Sequence, residues 1–389
     1  MRTTHDFLVP DYYLHFHCKI GGCRHACCVG WPVSISMQDY FHLLGVECSP
    51  ELRRRLDDSL RIVQHPSREY YAQICPGYEG NCGLQLKDGR CALHAELGEE
   101  ALSELCRLYP RGIRTGRVWE CSCANSCEGV LEMFLHREEP LAFGYQLLTL
   151  EAPPQPAREF PIETGGHEED IRQYLIRILQ DRRQSLPGRL MAMKTVLDEL
   201  QCAIVKREMS RIEKVLEGPL PLSCLSPQPV TQEHLVRSLE IAERLVEEVE
   251  EHSRSVHEFG VSALAWFRQG GDPCERYTWA LRNFQTLVLR WECFFEHVFV
   301  NHAFFEQFPF QDRPLDLPDE HIGLCAGYAL LRFLCLGWLA EHPAEEDFVD
   351  VCAATFRLLD HTAFDAYSAQ LLKGLGVSTA EELWDFIRL

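Results

Sequence analysis

Cysteine is the residue type in this chain whose number and spacing could do chemistry. Twelve of the 19 cysteines fall within the first 127 residues. The densest stretch is Cys18-x4-Cys23-x3-Cys27-Cys28, and Cys75, Cys82, Cys91, Cys106, Cys121, Cys123 and Cys127 follow it. Thiolates at this density are a means of holding soft metal, zinc or iron–sulfur. Close spacing lets one loop deliver several thiolates with little closure entropy. Cys18, Cys23, Cys27 and Cys28 suffice in number for one site, and Cys82, Cys91, Cys106 and Cys127 for a second. The run Cys121-x-Cys123-x3-Cys127 adds candidates. Adjacent side chains usually diverge, so Cys27 and Cys28 are expected to bind different irons of one cluster or to serve different sites. Cys48 and Cys75 stand apart from the tight spacings and are left out of the ligand set. Cys202, Cys224, Cys274, Cys293, Cys325, Cys335 and Cys352 are isolated and read as small buried apolar residues.

Other residue types near the cysteines widen the choice. His15, His17 and His25 flank the first quartet and His94 follows Cys91 by three. Imidazole is a good zinc ligand and an occasional cluster ligand. Arg107, Arg111, Arg114 and Arg117 fall between Cys106 and Cys121. Guanidinium groups there would offset the negative charge of an all-thiolate cluster or hold a cofactor carboxylate. No G-x-G-x-x-G, P-loop, H-E-x-x-H or G-x-S-x-G is present. The C-x3-C-x2-C of the common radical enzymes also fails, because the third position is Gly30.

The elements that must position these residues differ along the chain. Residues 1–140 are broken repeatedly by Gly and Pro, with short helices expected from Asp39 to about Gly45, Pro50 to about Gln64 and Gly98 to about Tyr109. So loop-rich a region buries little apolar surface, and metal would supply folding energy. Residues 141–166, which contain EAPPQPAREFPIETGG, read as a linker. Ile171, Tyr174, Leu175, Ile178 and Leu179 then share one helical face. A helix can run from Pro187 to about Leu216. Thr231 is a plausible N-cap for another, and apolar stretches follow at about 274–306, 319–341 and 345–372. The expected fold is mainly α: a loop-rich, cysteine-bearing metal-binding region (1–140), a linker (141–166) and an all-helical C-terminal bundle (167–389). No run of alternating strands and no βαβ unit is visible.

Bulk properties narrow the setting. Net charge is −20, with 15 Lys and Arg against 19 Asp and Glu in residues 1–140 and 23 against 39 in the remainder. An acidic body disfavours nucleic acid and is compatible with a basic protein partner. No apolar run reaches the roughly 18 residues of a membrane helix, and MRTTHDFLVPDYY lacks the apolar core of a secretory signal. A cytoplasmic protein is expected, in which clustered thiols stay reduced and read as metal ligands before disulfides.

Longer motifs sharpen this. FHCKIGGCRHACCVGW (16–31) resembles the start of the flagellin lysine-N-methylases, whose pattern is Phe, Cys, then C-x2–3-C-C and Gly-Trp. CGLQLKDGRCALHAELGEEALSELCRLYPR (82–111) is similar to that family's cysteine-rich continuation, which ends in Y-P-R. IRQYLIRILQDRRQSLPGRLMAM (171–193) resembles its Q-x-R-x-x-L-x-x-R-L helix. In FEHVFVNHAFFEQFPF (295–310), Glu296, Val300, Asn301, Phe308, Pro309 and Phe310 match the segment E-N-Y-L-V-N…F-P-F, while His297 and Val298 depart from it. The cysteine pattern alone also occurs in small zinc- or iron-chelating domains.

The resemblance implies methyl transfer from S-adenosylmethionine to lysine ε-amines of flagellin or another protein. It also implies a 4Fe–4S cluster on Cys18, Cys23, Cys27, Cys28, Cys82, Cys91, Cys106 and Cys127. Cys75, Cys121 and Cys123 are extra to the pattern. N-methylation needs a neutral amine, so a proton acceptor is required; Glu296 and Asn301 are the candidate catalytic residues. Arg111 and Arg107 are the candidates for holding the methyl donor. The alternatives are a non-enzymatic zinc- or iron-binding interaction protein and an electron-transfer module.

Overall fold

The computed structural model describes residues 3–24, 27–29, 32–77, 80–150, 164–225, 230–311 and 315–388. Seven strands occur among them: β1 (Thr3–Pro10), β2 (Val33–Ile35), β3 (Leu60–Ile62), β4 (Ala72–Ile74), β5 (Arg111–Arg114), β6 (Glu120–Cys123) and β7 (Phe143–Leu150). They form a four-stranded sheet in the order β5-β6-β1-β7 and a three-stranded sheet in the order β2-β4-β3. β1 lies parallel to β6, with Leu8 opposite Glu120, and antiparallel to β7 along its full length, from Thr3 opposite Leu150 to Pro10 opposite Phe143. These strands are absent from the sequence-based expectation. Five of them are three or four residues long, too short for a period of two to stand out.

Most of the expected helices are present with corrected ends, but the one expected from Gly98 to about Tyr109 is a 3-10 turn, Glu99–Ala101, and a separate short helix, Glu104–Leu108. Met37–Gly45 starts on the Ser36 cap, and Pro50–Ser59 stops where β3 begins. Glu168–Leu179 buries Ile171, Tyr174, Leu175, Ile178 and Leu179, as the periodicity requires. The stretch expected as one helix to Leu216 is two, Leu186–Lys206 and Met209–Glu217. They are separated at Arg207, whose φ of 57° is left-handed. The Thr231 hydroxyl accepts from His234 N at 3.3 Å and caps Gln232–Glu248. Arg254–Phe267, Pro273–Leu287, Trp291–Phe305, Leu317–Trp338, Glu345–His361, Phe364–Gly374 and Ala380–Ile387 complete an all-helical C-terminal body. Leu317–Trp338 has the length and composition of a membrane span, although no uninterrupted apolar run suggested it. In this fold 94% of its apolar window is buried against other helices.

The cores do not follow the expected boundaries. One hydrophobic core runs from Phe7, Val9 and Tyr12 through Val130 and Phe134 to the helices as far as Ile387. A second, smaller core is confined to residues 33–106 and includes Ile35, Leu43, Leu56, Ile74, Leu84 and Leu93. The sheet of β1, β5, β6 and β7 therefore belongs with the helical body. Residues 143–150, placed in the linker by composition, form β7; 151–163 lie outside the described residues.

Candidate metal centre

Five cysteines face one cavity of about 340 Å³: Cys27, Cys28, Cys82, Cys91 and Cys106. Each reaches it from a different local device. The Cys27–Cys28 turn is tied to the next segment by Cys82 N donating to Cys28 O at 2.6 Å. Cys82 and Cys91 bracket a tight hairpin in which Leu86 N donates to Arg90 O and Ala92 N to Leu84 O. Cys91 is the N-cap of Ala92–Leu97, and Cys106 sits in the short Ser103-capped helix Glu104–Leu108. Two glycines allow the loops to meet. Gly21 and Gly89 both have positive φ, and a Cβ on Gly89 would lie 2.5 Å from Gly21 O. The helical body grips the assembly from Glu345–His361: Arg357 Nη1 donates to Val29 O at 2.8 Å and Arg24 Nε to Asp350 Oδ1 at 3.0 Å.

Electrostatics favours thiolate at two of the five positions. Cys28 lies 3.9 Å from Cys27, Sγ to Sγ. It acts as the shared donor to Cys27 and Cys82, which pushes its own pKa up. The Cys82 thiol falls to about 7, because Cys28 and the amides of Leu84 and Gln85 donate to it against the cost of burial. Cys27 is lowered by Cys28, burial opposing and Arg357 assisting. Burial raises Cys91, against donation from His94 N and Leu93 N, and takes Cys106 up to about 12. Metal would reverse the last two shifts, since a bound ion favours the thiolate.

The donor set fits a soft metal. Amides at i+2 and i+3 point at the sulfur of Cys82 and of Cys91, the arrangement that stabilises a ligating thiolate. Among the described residues, no three Cys, His, Asp or Glu side chains already close to the geometry of an ion site. Burial favours the protonated thiol at Cys91 and Cys106, and ligation and closure are expected to occur together.

The eight cysteines named by the resemblance do not all share this cavity. Cys18, Cys23 and Cys127 lie around the N-terminus of helix Glu128–Leu135. Cys121 and Cys123 are buried in β6 as core residues, Cys121 Sγ lying 2.9 Å from Tyr13 Oη. None of the 19 cysteines is in a disulfide. Of the seven in the C-terminal part, Cys325, Cys335 and Cys352 are buried as expected, whereas Cys224 is exposed. His15, His17 and His94 do not line the cavity, and His25 lies outside the described residues. The imidazole that does line it is His361, which no local pattern marked.

Glu296 and Asn301 do not line the cavity either. Both carboxylate oxygens of Glu296 are occupied: Arg182 donates to each at 2.8 Å and Arg189 Nη1 to Oε2 at 2.6 Å. That geometry makes Glu296 an ion-pair anchor. Asn301 is equally committed. Its Oδ1 accepts from Tyr12 Oη at 2.7 Å and its Nδ2 donates to Cys123 O and Asn125 Oδ1.

Of the two arginines, Arg111 lines a cavity and Arg107 does not. Arg107 pairs loosely with Glu100 at 3.8 Å. Arg111 and Arg114 line a second cavity of about 170 Å³. The Arg111 guanidinium packs over the Phe16 ring at 5.2 Å and Arg114 over Phe305 at 5.3 Å. Leu105, Tyr109 and His361 line both cavities, so the two share a wall. In that wall Tyr109 Oη lies 3.0 Å from Ser126 Oγ, which lies 2.8 Å from His361 Nε2. His361 keeps a solvent-exposed edge. Desolvation of its inner side lowers its pKa, Asp360 opposing and Arg357 and Arg114 adding.

The structure thus combines a helical body with a thiol-lined cavity and an adjoining basic pocket. Residues 172–383, more than half of the chain, match the FliB lysine N-methylase C-terminal domain, and the chain belongs to that family. It is 24% identical over 136 residues to the flagellar biosynthetic protein FliU of Salmonella muenchen, a match covering 35% of this chain and 80% of that protein. It is 26% identical over 106 residues to the lysine-N-methylases of Salmonella choleraesuis and Salmonella typhimurium, covering 27% of this chain. That stretch spans 26% of the length of each lysine-N-methylase. No solved structure matches the chain.

Proposed function

We propose that this chain transfers a methyl group from S-adenosylmethionine to lysine ε-amines of a protein, with flagellin the first candidate substrate. The observation that carries the reading is the wall shared by the cysteine cavity and the Arg111–Arg114 pocket in a chain of the lysine N-methylase family. Cys27, Cys28, Cys82, Cys91 and Cys106 would hold a 4Fe–4S cluster, which would supply a soft, redox-active site beside the donor. Arg111 and Arg114 bind and orient the carboxylate of the methyl donor. The substrate lysine arrives as an ammonium and must lose its proton before it can attack a methyl group. His361, with a lowered pKa and a hydrogen bond to Ser126 that fixes its ring, takes that proton at the shared wall.

The test is anaerobic incubation of the metal-loaded chain with methyl-labelled S-adenosylmethionine and purified flagellin, followed by residue-level mass spectrometry. Label on lysine supports the reading, and no label on any lysine with the metal intact overturns it. The amide donors at Cys82 and Cys91 favour a second reading, a structural zinc site in a non-enzymatic protein. Stoichiometric zinc, a colourless preparation and no methyl transfer would select it.

A further inference from the structure

We propose that Cys18, Cys23 and Cys127 form a second thiolate metal site, separate from the five-cysteine cavity and suited to a single soft divalent ion, zinc by its chemistry. The family resemblance assigns all eight cysteines to one cluster; the fold divides them. The segment 16–24 is strapped across the start of helix Glu128–Leu135 by one carboxylate. Lys19 Nζ donates to Glu128 Oε1 at 2.6 Å and Arg24 N to Glu128 Oε2 at 2.9 Å. Cys18 precedes Lys19 and Cys23 precedes Arg24, so the strap brings both beside Cys127, which precedes Glu128. Side-chain packing agrees. A methyl group on Gly129 would lie 3.8 Å from Cys127 Sγ, 3.7 Å from Lys19 Cδ and 3.5 Å from the Phe16 ring.

The sulfurs are prepared for ligation. Ile20 N donates to Cys18 Sγ at 3.5 Å. The amides of Gly129 and Val130 point at Cys127 Sγ, the same i+2 and i+3 arrangement found at Cys82 and Cys91. Three thiolates gathered at one helix N-terminus would repel one another, and one divalent cation would offset that repulsion. Glu128 is spent on the strap, so the fourth position falls to water.

This inference does not depend on methyl transfer, and its test reads metal. Zinc and iron are measured in the anaerobically purified chain and in Cys23→Ser/Cys127→Ser. The expected result is a loss of about one zinc per chain with iron and the visible spectrum retained. Unchanged zinc overturns the proposal. So does joint loss of zinc and iron matching that in Cys82→Ser/Cys106→Ser. If the variant fails to fold, residue-resolved alkylation of the native chain decides. Cys18 and Cys23 should be shielded relative to exposed Cys224 and become reactive on mild zinc chelation while Cys82, Cys91 and Cys106 stay shielded. Reactivity of Cys18 and Cys23 equal to that of Cys224 before chelation overturns it.

Discussion

At the scale of the residue, the most telling result is what Glu296 is tied to. An acidic residue in an aromatic segment is a genuine signal, because a buried charge must be compensated. Its meaning was not legible locally. Its partners Arg182 and Arg189 come from the other family-like motif, QDRRQSLPGR, more than 100 residues upstream. Two stretches singled out separately are two halves of one ion-pair cluster. Glu296→Ala leaves buried Arg189 unpaired and should cost about 3–5 kcal/mol, measured by urea denaturation. Glu296→Leu/Arg189→Met should recover part of that loss, and a double variant no better than the single would show the pair to be uncoupled. A second buried pair gives a pH signature. His302 Nδ1 lies 2.7 Å from Asp360 Oδ1, with both side chains buried. Burial alone would lower the histidine, but the hydrogen bond and charge of Asp360 prevail and raise it above 6.5. The folded state therefore holds this proton more tightly than the unfolded one. The stabilisation is complete below about pH 6.5 and is lost as pH rises through the raised value. Denaturation midpoints should fall as pH rises through that value in the native chain, and His302→Gln should remove this part of the fall.

At the scale of the element, caps and periodicity were legible and interruptions were not. Thr231 and the Ile171–Leu179 face act as their residue types require. The break at Arg207 and the division of 274–306 at Val288–Arg290 have no Gly or Pro to announce them, and packing imposes them. Small residues mark where helices touch. A Cβ on Gly337 would stand 2.4 Å from Ala263 Cβ and 2.7 Å from its Cα, so Leu317–Trp338 and Arg254–Phe267 meet backbone to backbone there. Gly337→Val should cost about 1–3 kcal/mol by overpacking and lower the melting temperature. Gly45→Ala, whose added methyl meets nothing within 4 Å, should leave it unchanged. Equal melting temperatures for the two variants would mean that the helices part without penalty.

At the scale of the whole molecule, the described residues form one large core and one small one, and Cys28, Cys82, Cys91 and Cys106 lie along the small one. The division of 1–140 from the rest was only partly legible. β1 pairs with β6 and β7 more than 100 residues away, and local pattern carries no information about such partners. What composition did register is the poverty of residues 33–106: three-residue strands, short helices and a small set of buried apolar side chains. Under the proposed reading, ligation supplies part of the stability of this region. The helical body has no such need, with Phe295, Phe299, Tyr328 and Phe356 fully buried in it. Stability should therefore be lost in two stages. On anaerobic treatment with a strong chelator, amides in 33–106 should lose hydrogen-exchange protection, while those of Trp291–Phe305 and Leu317–Trp338 keep theirs. β1 should stay protected with the body, because its core residues Phe7 and Val9 belong there. Loss of protection across the whole chain would make the two cores one cooperative unit. Unchanged protection in 33–106 would mean that its small core stands without metal.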